Sequence, residues 1–285
     1  MANLDIFNKS KFLNIQGKLY DLSIPKVMGI LNLTPDSFYD GGKYNLLANA
    51  EKRINEMIAE GADIIDIGAV STRPGADMLD FDTEIKRLKP VLELITNKFD
   101  KYIFSLDTFR ADVARFAVEN YNIGIINDIS AGNIDDKMFE TIAKLRVPYI
   151  IMHMQGTPSN MQKNPVYDNV IKDLIMFFAQ KIQDLKSYGI HDILIDPGFG
   201  FGKTIEHNYT ILKNLKDFRI LERPIVVGLS RKSMIYKLLN TTQDKALNGT
   251  TIVNTISILN GADIIRVHDV KEAKEIIRIF TMIKD

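Results

Sequence analysis

The 285-residue sequence contains no cysteine. This absence excludes disulfide bonds, catalysis by a thiolate and metal sites that use cysteine ligands. The sequence also lacks an excess of charge of either sign, because 36 basic residues balance 36 acidic residues. A neutral chain does not generate the broad positive field that attracts nucleic acid or an anionic membrane, so we expect neither as a partner.

Long apolar runs are missing as well. No segment approaches the length of a membrane span, and Met1–Ile15 mixes polar and apolar residues without the continuous apolar core of a signal peptide. We therefore expect a cytoplasmic protein. Length alone allows either two average domains or one large barrel of parallel strands.

Beyond Pro25, short apolar segments alternate with longer segments that carry a helical apolar stripe. The run Gly61-Ala62-Asp63-Ile64-Ile65 returns as Gly261-Ala262-Asp263-Ile264-Ile265, which is typical of a repeated α/β unit with a glycine after each helix. Eight apolar segments predict strands: Lys26–Leu31, Asp63–Ile67, Tyr102–Leu106, Gly124–Asn127, Pro148–Met152, Asp192–Ile195, Pro224–Leu229 and Asp263–Val267.

This alternation of strands and helices, with no break in composition, predicts a single (β/α)₈ TIM barrel domain over residues 1–285. A short hairpin is predicted before the barrel, within Phe12–Ser23, where Gln16-Gly17-Lys18 separates two mixed segments. A doubly wound open sheet is the alternative fold.

The segment Ile193–Thr204 ends a predicted strand in Asp196 and continues with glycine at every second position. Alternate glycines permit backbone angles closed to other residues and let a flat ligand approach the main chain, with Phe199 and Phe201 as a wall. The glycine spacing fits neither a Walker A loop nor a dinucleotide fingerprint. The alternative is a glycine-rich turn in which Asp196 only caps the backbone.

In a barrel of this kind the active site lies at the carboxyl ends of the strands, and polar side chains occur at nearly all of the predicted ends. Helix capping is the alternative explanation for several of them, Asp107-Thr108 before Arg110–Glu119 in particular. Capping does not explain Lys232 and Arg266, because positive charge is unfavourable at the start of a helix. The polar strand-end residues include Asn32, Asp107, Asn127, Asp128, His153, Asp196, Ser230, Lys232, Ser233, Arg266 and His268.

Four of these residues, Asp107, Asn127, Asp196 and Lys232, suit a flat heterocycle rich in N–H and C=O groups. Carboxylates accept paired N–H donors such as those of a 2-aminopyrimidinone, and a lysine can donate to a ring carbonyl or nitrogen.

Arg266 and His268 are two residues apart and could both donate to one phosphate. The alternative is an Arg266 paired with Asp269 and a solvated His268. His191 and His207 are interpreted as surface residues, and His153 as a loop donor.

Two predicted loops, Asn32–Tyr44 and Gly68–Asp82, are longer than ordinary connections. Long loops at the mouth of a barrel are typical of lids that close over a substrate.

With these residues assembled, the chain resembles the dihydropteroate synthases of the folate pathway. The resemblance implies condensation of 6-hydroxymethyl-7,8-dihydropterin diphosphate with p-aminobenzoate, loss of diphosphate before capture of the amine, and inhibition by sulfonamides. Two alternatives are a related barrel that moves a methyl group from methyltetrahydrofolate to a corrinoid protein, and a non-catalytic pterin-binding protein. The matching segments are Met28–Phe38, Ser71–Gly75, Asp107–Arg110, Asn127–Ser130, Met152–Pro158, Asp196–Lys203, Gly228–Ser233 and Arg266–Asp269.

The resemblance also implies a role for each matching residue. Asp107, Asn127, Asp196 and Lys232 would hold the pterin, with Met152 and Phe201 packed near it. Thr72, Arg73, Pro74 and Ser233 would frame p-aminobenzoate. Asn32 would bind diphosphate through Mg²⁺, while Arg266 and His268 would bind it directly. The catalytic residues would be Asp107, Lys232, Arg266 and His268.

Two further points follow from the resemblance. A homodimer is expected, and the apolar, threonine-rich segment Ala246–Leu259 is the candidate contact surface. The sequence departs from the family pattern at Val70, where many members carry a glutamate, so the second long loop is the part that this departure affects.

Overall fold

The described part of the chain starts with a small hairpin. The computed structural model describes residues 12–33, 42–70, 80–157, 161 and 165–283, with only the backbone at 42–45. Strand β1 (Phe12–Ile15) pairs antiparallel with β2 (Lys18–Asp21), and the turn between them uses Gln16 and Gly17 at φ 51° and 79°. Glycine tolerates this backbone region without strain. The predicted hairpin is confirmed.

The eight following strands form one parallel sheet. Their order in space is β8-β7-β6-β5-β4-β3-β10-β9. Strands that are consecutive in sequence lie side by side, except β8 and β9 at the two edges, and the first strand of the sheet, β3, pairs with the last, β10. The strands are β3 (Lys26–Asn32), β4 (Ile64–Gly68), β5 (Phe104–Asp107), β6 (Ile125–Asp128), β7 (Tyr149–Met152), β8 (Ile193–Asp196), β9 (Val226–Val227) and β10 (Ile264–Val267).

The two edge strands, β8 and β9, close the sheet into a barrel. Ile195 forms a parallel bridge with Ile225, and its backbone N–H donates to the carbonyl oxygen of Pro224 at 3.0 Å. The predicted (β/α)₈ barrel is therefore confirmed, and the open-sheet alternative is wrong.

Strand bounds differ from the predicted ones by a few residues. The segment predicted as Pro224–Leu229 pairs regularly only at Val226–Val227, although Ile225 and Leu229 are also buried. Apolar side chains remain buried beyond the last residue whose backbone pairs with a neighbouring strand. Burial alone therefore predicts a strand that is too long.

Helices cover the outside of the barrel. The apolar stripe of each helix packs on the sheet, and the side chains between sheet and helices form the largest core. The helices are α1 (Gly42–Glu60), α2 (Phe81–Lys98), α3 (Ala111–Asn120), α4 (Met138–Leu145), α5 (Val170–Ser187), α6 (Ile205–Lys213), α7 (Ser233–Leu238), α8 (Leu247–Leu259) and α9 (Val270–Ile283), with a 3₁₀ helix at Leu215–Leu221.

A second core fills the amino-terminal end of the barrel interior. Residues from seven strands, Met28 and Ile64 among them, pack there against Leu13, Ile15 and Leu22 of the hairpin region. The hairpin therefore plugs this end, which leaves the carboxyl end open for a site. Among the described helices, none is both long enough and apolar enough to cross a membrane.

Candidate active site

Four side chains from four different strands form a hydrogen-bonded network inside the carboxyl end of the barrel. Arg266 on β10 donates from Nε to Oδ2 of Asp66 on β4 at 2.6 Å, and from Nη2 to Oδ2 of Asp107 on β5 at 2.8 Å. Nδ2 of Asn127 on β6 donates to the same Asp66 oxygen at 3.1 Å. Two predicted site residues, Arg266 and Asn127, thus bind one carboxylate that was not predicted, and Arg266 connects it to a third, Asp107.

The pKa of the Asp107 carboxyl is strongly shifted. Burial raises the pKa of Asp107 to about 7; Arg266 opposes this rise, while Asp66 and Asp128 add to it. Burial would lower the pKa of Arg266, but the carboxylates of Asp66 and Asp107 reverse that effect and raise it. The guanidinium is therefore a permanent cation, whereas Asp107 changes its charge near neutral pH.

Helix capping does not explain Asp107. Helix α3 has Arg110 at its N-cap position, and the N–H of Ala111 is satisfied by Oδ2 of Asp135 at 2.8 Å. Oγ1 of Thr108 donates to Glu84, a buried carboxyl whose pKa burial raises to about 7. The side chain of Asp107 is thus available to the site rather than to the helix.

Asp196 and Lys232 lie close enough for each to influence the pKa of the other. Asp196 ends β8 and accepts at Oδ1 from the N–H of Gly198 at 2.7 Å. Burial raises the pKa of Asp196, and the nearby Lys232 counteracts this. Burial lowers the pKa of Lys232 to about 8, against the attraction of Asp196. Both charges lie within the electrostatic reach of Arg266.

Lys232 is held against the glycine-rich segment after β8. Its Nζ donates to the carbonyl oxygen of Phe199 and lies 4.6 Å from the ring centroid of Phe201. The predicted wall of two phenylalanines is therefore wrong for Phe199, although Phe201 does line the site. Phe199 is fully buried in the core between sheet and helices, and only Phe201 faces the site, beside Lys232.

The alternate glycines are required by the backbone. Gly198, Gly200 and Gly202 adopt φ values of 71°, 81° and 63°. A Cβ on Gly198 would lie 1.9 Å from the carbonyl oxygen of His153, which no small adjustment relieves. The glycines let the loop after β8 pass directly over the loop after β7.

A buried lysine joins these two loops. Nζ of Lys203 donates to the carbonyl oxygens of Phe201 at 3.0 Å and His153 at 3.2 Å, and lies 3.0 Å from Nδ1 of His153. Burial lowers the pKa of Lys203 well below its usual value and that of His153 to about 3. His153 is thus a neutral, buried partner of Lys203 rather than the predicted loop donor.

His268 follows Arg266 by two residues and is joined through Ser230 to the segment after β9. Oγ of Ser230 accepts from the backbone N–H of His268 at 3.2 Å and lies 3.0 Å from its Nδ1. Burial lowers the pKa of His268 to about 4, and the charge of Arg266 adds to this. The imidazole is therefore neutral at pH 7 and can present Nε2 to a ligand.

The alternative pairing of Arg266 with Asp269 is wrong. Asp269 instead makes a double hydrogen bond with Arg231, Nε to Oδ2 at 3.0 Å and Nη2 to Oδ1 at 2.8 Å. Of the other two histidines, His191 is exposed, as predicted. His207 is half-buried and forms a capping box with Thr204 at the start of α6, so it caps a helix away from the site.

An apolar patch lines the mouth beside the charged residues. Phe109, Ile129 and Met152 are buried together, and Phe201 and Val70 pack against them. Met152 and Phe201 therefore occupy one surface, which suits the flat face of a ring. Val70 contributes to the same surface, where a glutamate would place a charge.

The remaining predicted residues lie around this mouth or outside the described residues. Asn32 ends β3 with an exposed side chain, in register with Gly68, and Ser233 opens α7 directly after Lys232. Thr72, Arg73 and Pro74, with most of both long loops, lie outside the described residues. Within the described ranges no group of three His, Asp or Glu side chains is placed to hold a metal ion.

The sequence carried a signal for the unpredicted Asp66. It lies in the run Ile64-Ile65-Asp66-Ile67, where a carboxylate interrupts an otherwise apolar, fully buried strand. An acid at such a position needs a partner, which periodicity alone does not name. Lys203 follows the last glycine of its loop and gave no comparable signal.

Comparisons with known proteins agree with this geometry. The pattern that describes the family "Pterin binding enzyme" matches residues 28–268. The chain is 45% identical over 268 residues to a dihydropteroate synthase of Escherichia coli, covering 93% of each chain, and 43% identical over 265 residues to that of Haemophilus influenzae, covering 92% of this chain and 95% of the relative.

Solved structures give the same result. The Yersinia pestis dihydropteroate synthase in a sulfonamide drug complex superimposes with a TM-score of 0.89 and 42% identity, covering 96% of this chain and 99% of that one. The Xanthomonas albilineans dihydropteroate synthase with 4-aminobenzoic acid superimposes with a TM-score of 0.89 and 35% identity, covering 96% and 98%.

Proposed function

Because this chain belongs to the dihydropteroate synthases, within the family of pterin-binding enzymes, we propose that its strand-end cluster condenses 6-hydroxymethyl-7,8-dihydropterin diphosphate with p-aminobenzoate. The chain is a transferase of folate biosynthesis. Assignment of the substrates to particular side chains is the proposed part.

The pterin would bind between Asp107, Asn127, Asp196 and Lys232. The two carboxylates face inward from β5 and β8 and can accept N–H donors of the pyrimidinone. Lys232 can donate to a ring oxygen or nitrogen. Met152 and Phe201 offer an apolar surface to the ring face.

The diphosphate would bind beside Arg266 and His268. Arg266 offers a permanent cation, and neutral His268 offers a ring N–H. Asn32 would hold Mg²⁺, because its exposed amide lies at the rim and the ion typically takes few protein ligands beside phosphate oxygens and water. When bound, the ion would neutralise charge on the diphosphate.

The proposed reaction begins with cleavage of the carbon–oxygen bond. The electron pair leaves with the diphosphate oxygen, where Arg266 and His268 stabilise the added charge. The positive charge left on the pterin methylene is stabilised by Asp107. The lone pair of the p-aminobenzoate amine then forms the carbon–nitrogen bond, and the amine proton leaves to solvent. Thr72, Arg73, Pro74 and Ser233 would frame the p-aminobenzoate.

The observation that carries this proposal is the convergence of Asp107, Asn127 and Arg266 from three strands, with Asp196 and Lys232 close by. The test is diphosphate release from the pterin diphosphate in the presence of Mg²⁺, with and without p-aminobenzoate. Formation of dihydropteroate only when p-aminobenzoate is present supports the proposal. Pterin binding without release under either condition would contradict it.

Sulfonamides should compete with p-aminobenzoate in that assay, because one of the similar structures is a sulfonamide complex. Of the two other functions considered, a corrinoid methyltransferase leaves Arg266 and His268 without a ligand, and a non-catalytic protein does not agree with the family. A cytoplasmic location is part of the proposal, since the relatives named above are bacterial enzymes of folate biosynthesis.

A homodimer is also part of the proposal, with α8 and α9 as its surface. A groove of about 200 Å³ between the two helices is lined mainly by apolar side chains. Much of Ala246–Leu259 is buried within the subunit, Val253 and Ile258 included, so α9 supplies part of the outward face. The exposed apolar residues of the two helices are Ile252, Ile256, Leu259, Ile279, Met282 and Ile283.

A further inference from the structure

Asp66 is a carboxylate in the middle of a buried strand. Its side chain is 0% exposed, and its neighbours across the sheet are Ile30 on β3 and Ser105 on β5. A charge in this position has lost its water and is tolerated only where other groups replace that water. The partners of Asp66 should therefore explain why an acid lies here.

Both partners of Asp66 are residues assigned above to substrate. Oδ2 accepts from Nε of Arg266 at 2.6 Å and from Nδ2 of Asn127 at 3.1 Å. Oδ1 is buried and has no hydrogen-bond partner among the described residues. One oxygen atom thus joins the residue proposed for diphosphate to a residue proposed for the pterin.

The bond from Asn127 fixes the direction of its amide. Because Nδ2 is turned toward Asp66, the Oδ1 atom of Asn127 is left as an acceptor for a ligand N–H. Without the carboxylate, either end of the amide could face the ligand. The orientation therefore determines which hydrogen-bonding pattern the site recognises.

Arg266 is shared between two unequal carboxylates. Asp107 is 14% exposed and lies at the mouth, while Asp66 is completely buried. A pterin that engages Asp107 competes with Nη2 of Arg266 for the carboxylate. Nε of Arg266 remains bound to Asp66, which no ligand at the mouth can reach without displacing the side chains above it.

We propose that Asp66 is a positioning residue that holds Arg266 at the diphosphate and turns the Oδ1 atom of Asn127 toward the pterin. It keeps Arg266 in place when the Asp107 carboxylate exchanges its hydrogen bond with Arg266 for one with the substrate. The proposal rests on the function proposed above. Asp66 itself touches neither substrate and acts through its two partners.

The test uses Asp66→Asn, which keeps the size and removes the charge. We expect kcat for dihydropteroate formation to fall at least 30-fold, with the KM for p-aminobenzoate changed less than threefold. Binding of inorganic diphosphate should weaken at least tenfold. Ser105→Ala is the matched control, since it alters a buried polar group beside Asp66 and outside the network, and it should keep near-normal activity.

A double-mutant cycle separates positioning from a merely structural role. In an Arg266→Gln background, Asp66→Asn should weaken diphosphate binding less than twofold further, because Asp66 acts through Arg266. A full additional tenfold loss in that background would overturn the proposal, as would normal kcat in the single variant.

If wild-type protein neither binds diphosphate nor releases it, the proposed function itself has failed. If Asp66→Asn does not fold, Arg266→Lys tests the same contact, because lysine keeps the charge but has no planar fork to bind both carboxylates. Diphosphate affinity as low as that of Arg266→Gln would support the proposal, and wild-type affinity would overturn it.

Discussion

At the scale of single residues, the charged side chains of the site interact with side chains of opposite charge in the absence of substrate. Arg266 is hydrogen-bonded to both Asp66 and Asp107, and Lys232 lies near Asp196. Such pairs reduce the cost of burying each charge. In the function proposed above, substrate binding exchanges these partners, so we expect activity to depend on the protonation of Asp107 and Lys232.

Asp107→Asn should slow turnover far more than it weakens binding of diphosphate. The negative charge is needed mainly when positive charge develops on the pterin, and removal of one such electrostatic group typically costs about 100-fold in kcat. Diphosphate affinity should be kept or improved, because Arg266 loses a competing carboxylate. Steady-state kinetics and diphosphate titration would check this, with exposed Asp136→Asn as the control. Equal losses of affinity and rate would contradict it.

The pH dependence of kcat/KM for the pterin diphosphate should be a narrow bell. Below pH 7 the Asp107 carboxylate becomes protonated and loses its charge, since its pKa is about 7. Above pH 8 Lys232 loses its proton, since its pKa is about 8. A rate profile of Asp107→Asn should lack the acidic limb that starts near pH 7. An unchanged acidic limb in this variant would assign it to another group.

At the scale of elements, the crossing of the loops after β7 and β8 sets the shape of the mouth. Gly198 passes against the carbonyl oxygen of His153, and Lys203 ties the same two loops with hydrogen bonds. The loop after β8 thereby places Phe201 beside Lys232. Steric contact and hydrogen bonding act together, so the loop should tolerate little change.

Gly198→Ala should destabilise the fold much more than Gly189→Ala. Both glycines have positive φ, 71° and 77°, so alanine pays about 1–2 kcal/mol of backbone strain at either position. Only Gly198 adds a collision, because nothing lies within 4 Å of a Cβ at Gly189. Urea unfolding of both variants would measure the difference. Similar losses would show that the loops after β7 and β8 can separate without cost.

At the scale of the whole molecule, stability should depend on two histidines that are neutral in the folded state. Burial lowers the pKa of His153 to about 3 and that of His268 to about 4. The unfolded chain binds these protons near pH 6.5, so the stability is fully present above that pH and is lost as the pH falls toward the folded values.

His153→Gln should therefore gain stability relative to wild type on acidification. Between pH 7.5 and pH 5 the wild type should lose up to about 2 kcal/mol through this histidine, and the variant should not. Glu84, whose pKa is raised to about 7, acts in the opposite direction in both proteins and cancels in the comparison. Urea unfolding at the two pH values would check this. A constant difference between the proteins would exclude His153 as a source of acid sensitivity.

The proposed homodimer belongs to the same scale. Ile279→Glu places a charge on the exposed apolar face of α8 and α9, and it should convert a dimer to a monomer in sedimentation equilibrium. Met176→Glu is the matched control, because Met176 is a similarly exposed apolar residue on α5, away from that face. A dimer that survives Ile279→Glu would move the interface elsewhere.

The sequence by itself determined the barrel and the ring of polar residues at its carboxyl end. Both follow from local pattern: apolar segments of strand length, helical stripes between them, and a polar residue where each strand stops. Asp107, Asn127, Asp196 and Lys232 were identifiable for that reason. The bounds of β9 were not, because pairing rather than burial ends a strand.

Tertiary structure alone decided which of those residues touch. Asp66 and Arg266 are 200 residues apart, and the pairing of both β4 and β10 with β3 brings their side chains to 2.6 Å. Packing of the loop after β8 likewise makes Phe199 a core residue and joins Lys203 to His153. Partner choice and burial are properties of the packed chain, because they depend on which distant side chains displace water from a group.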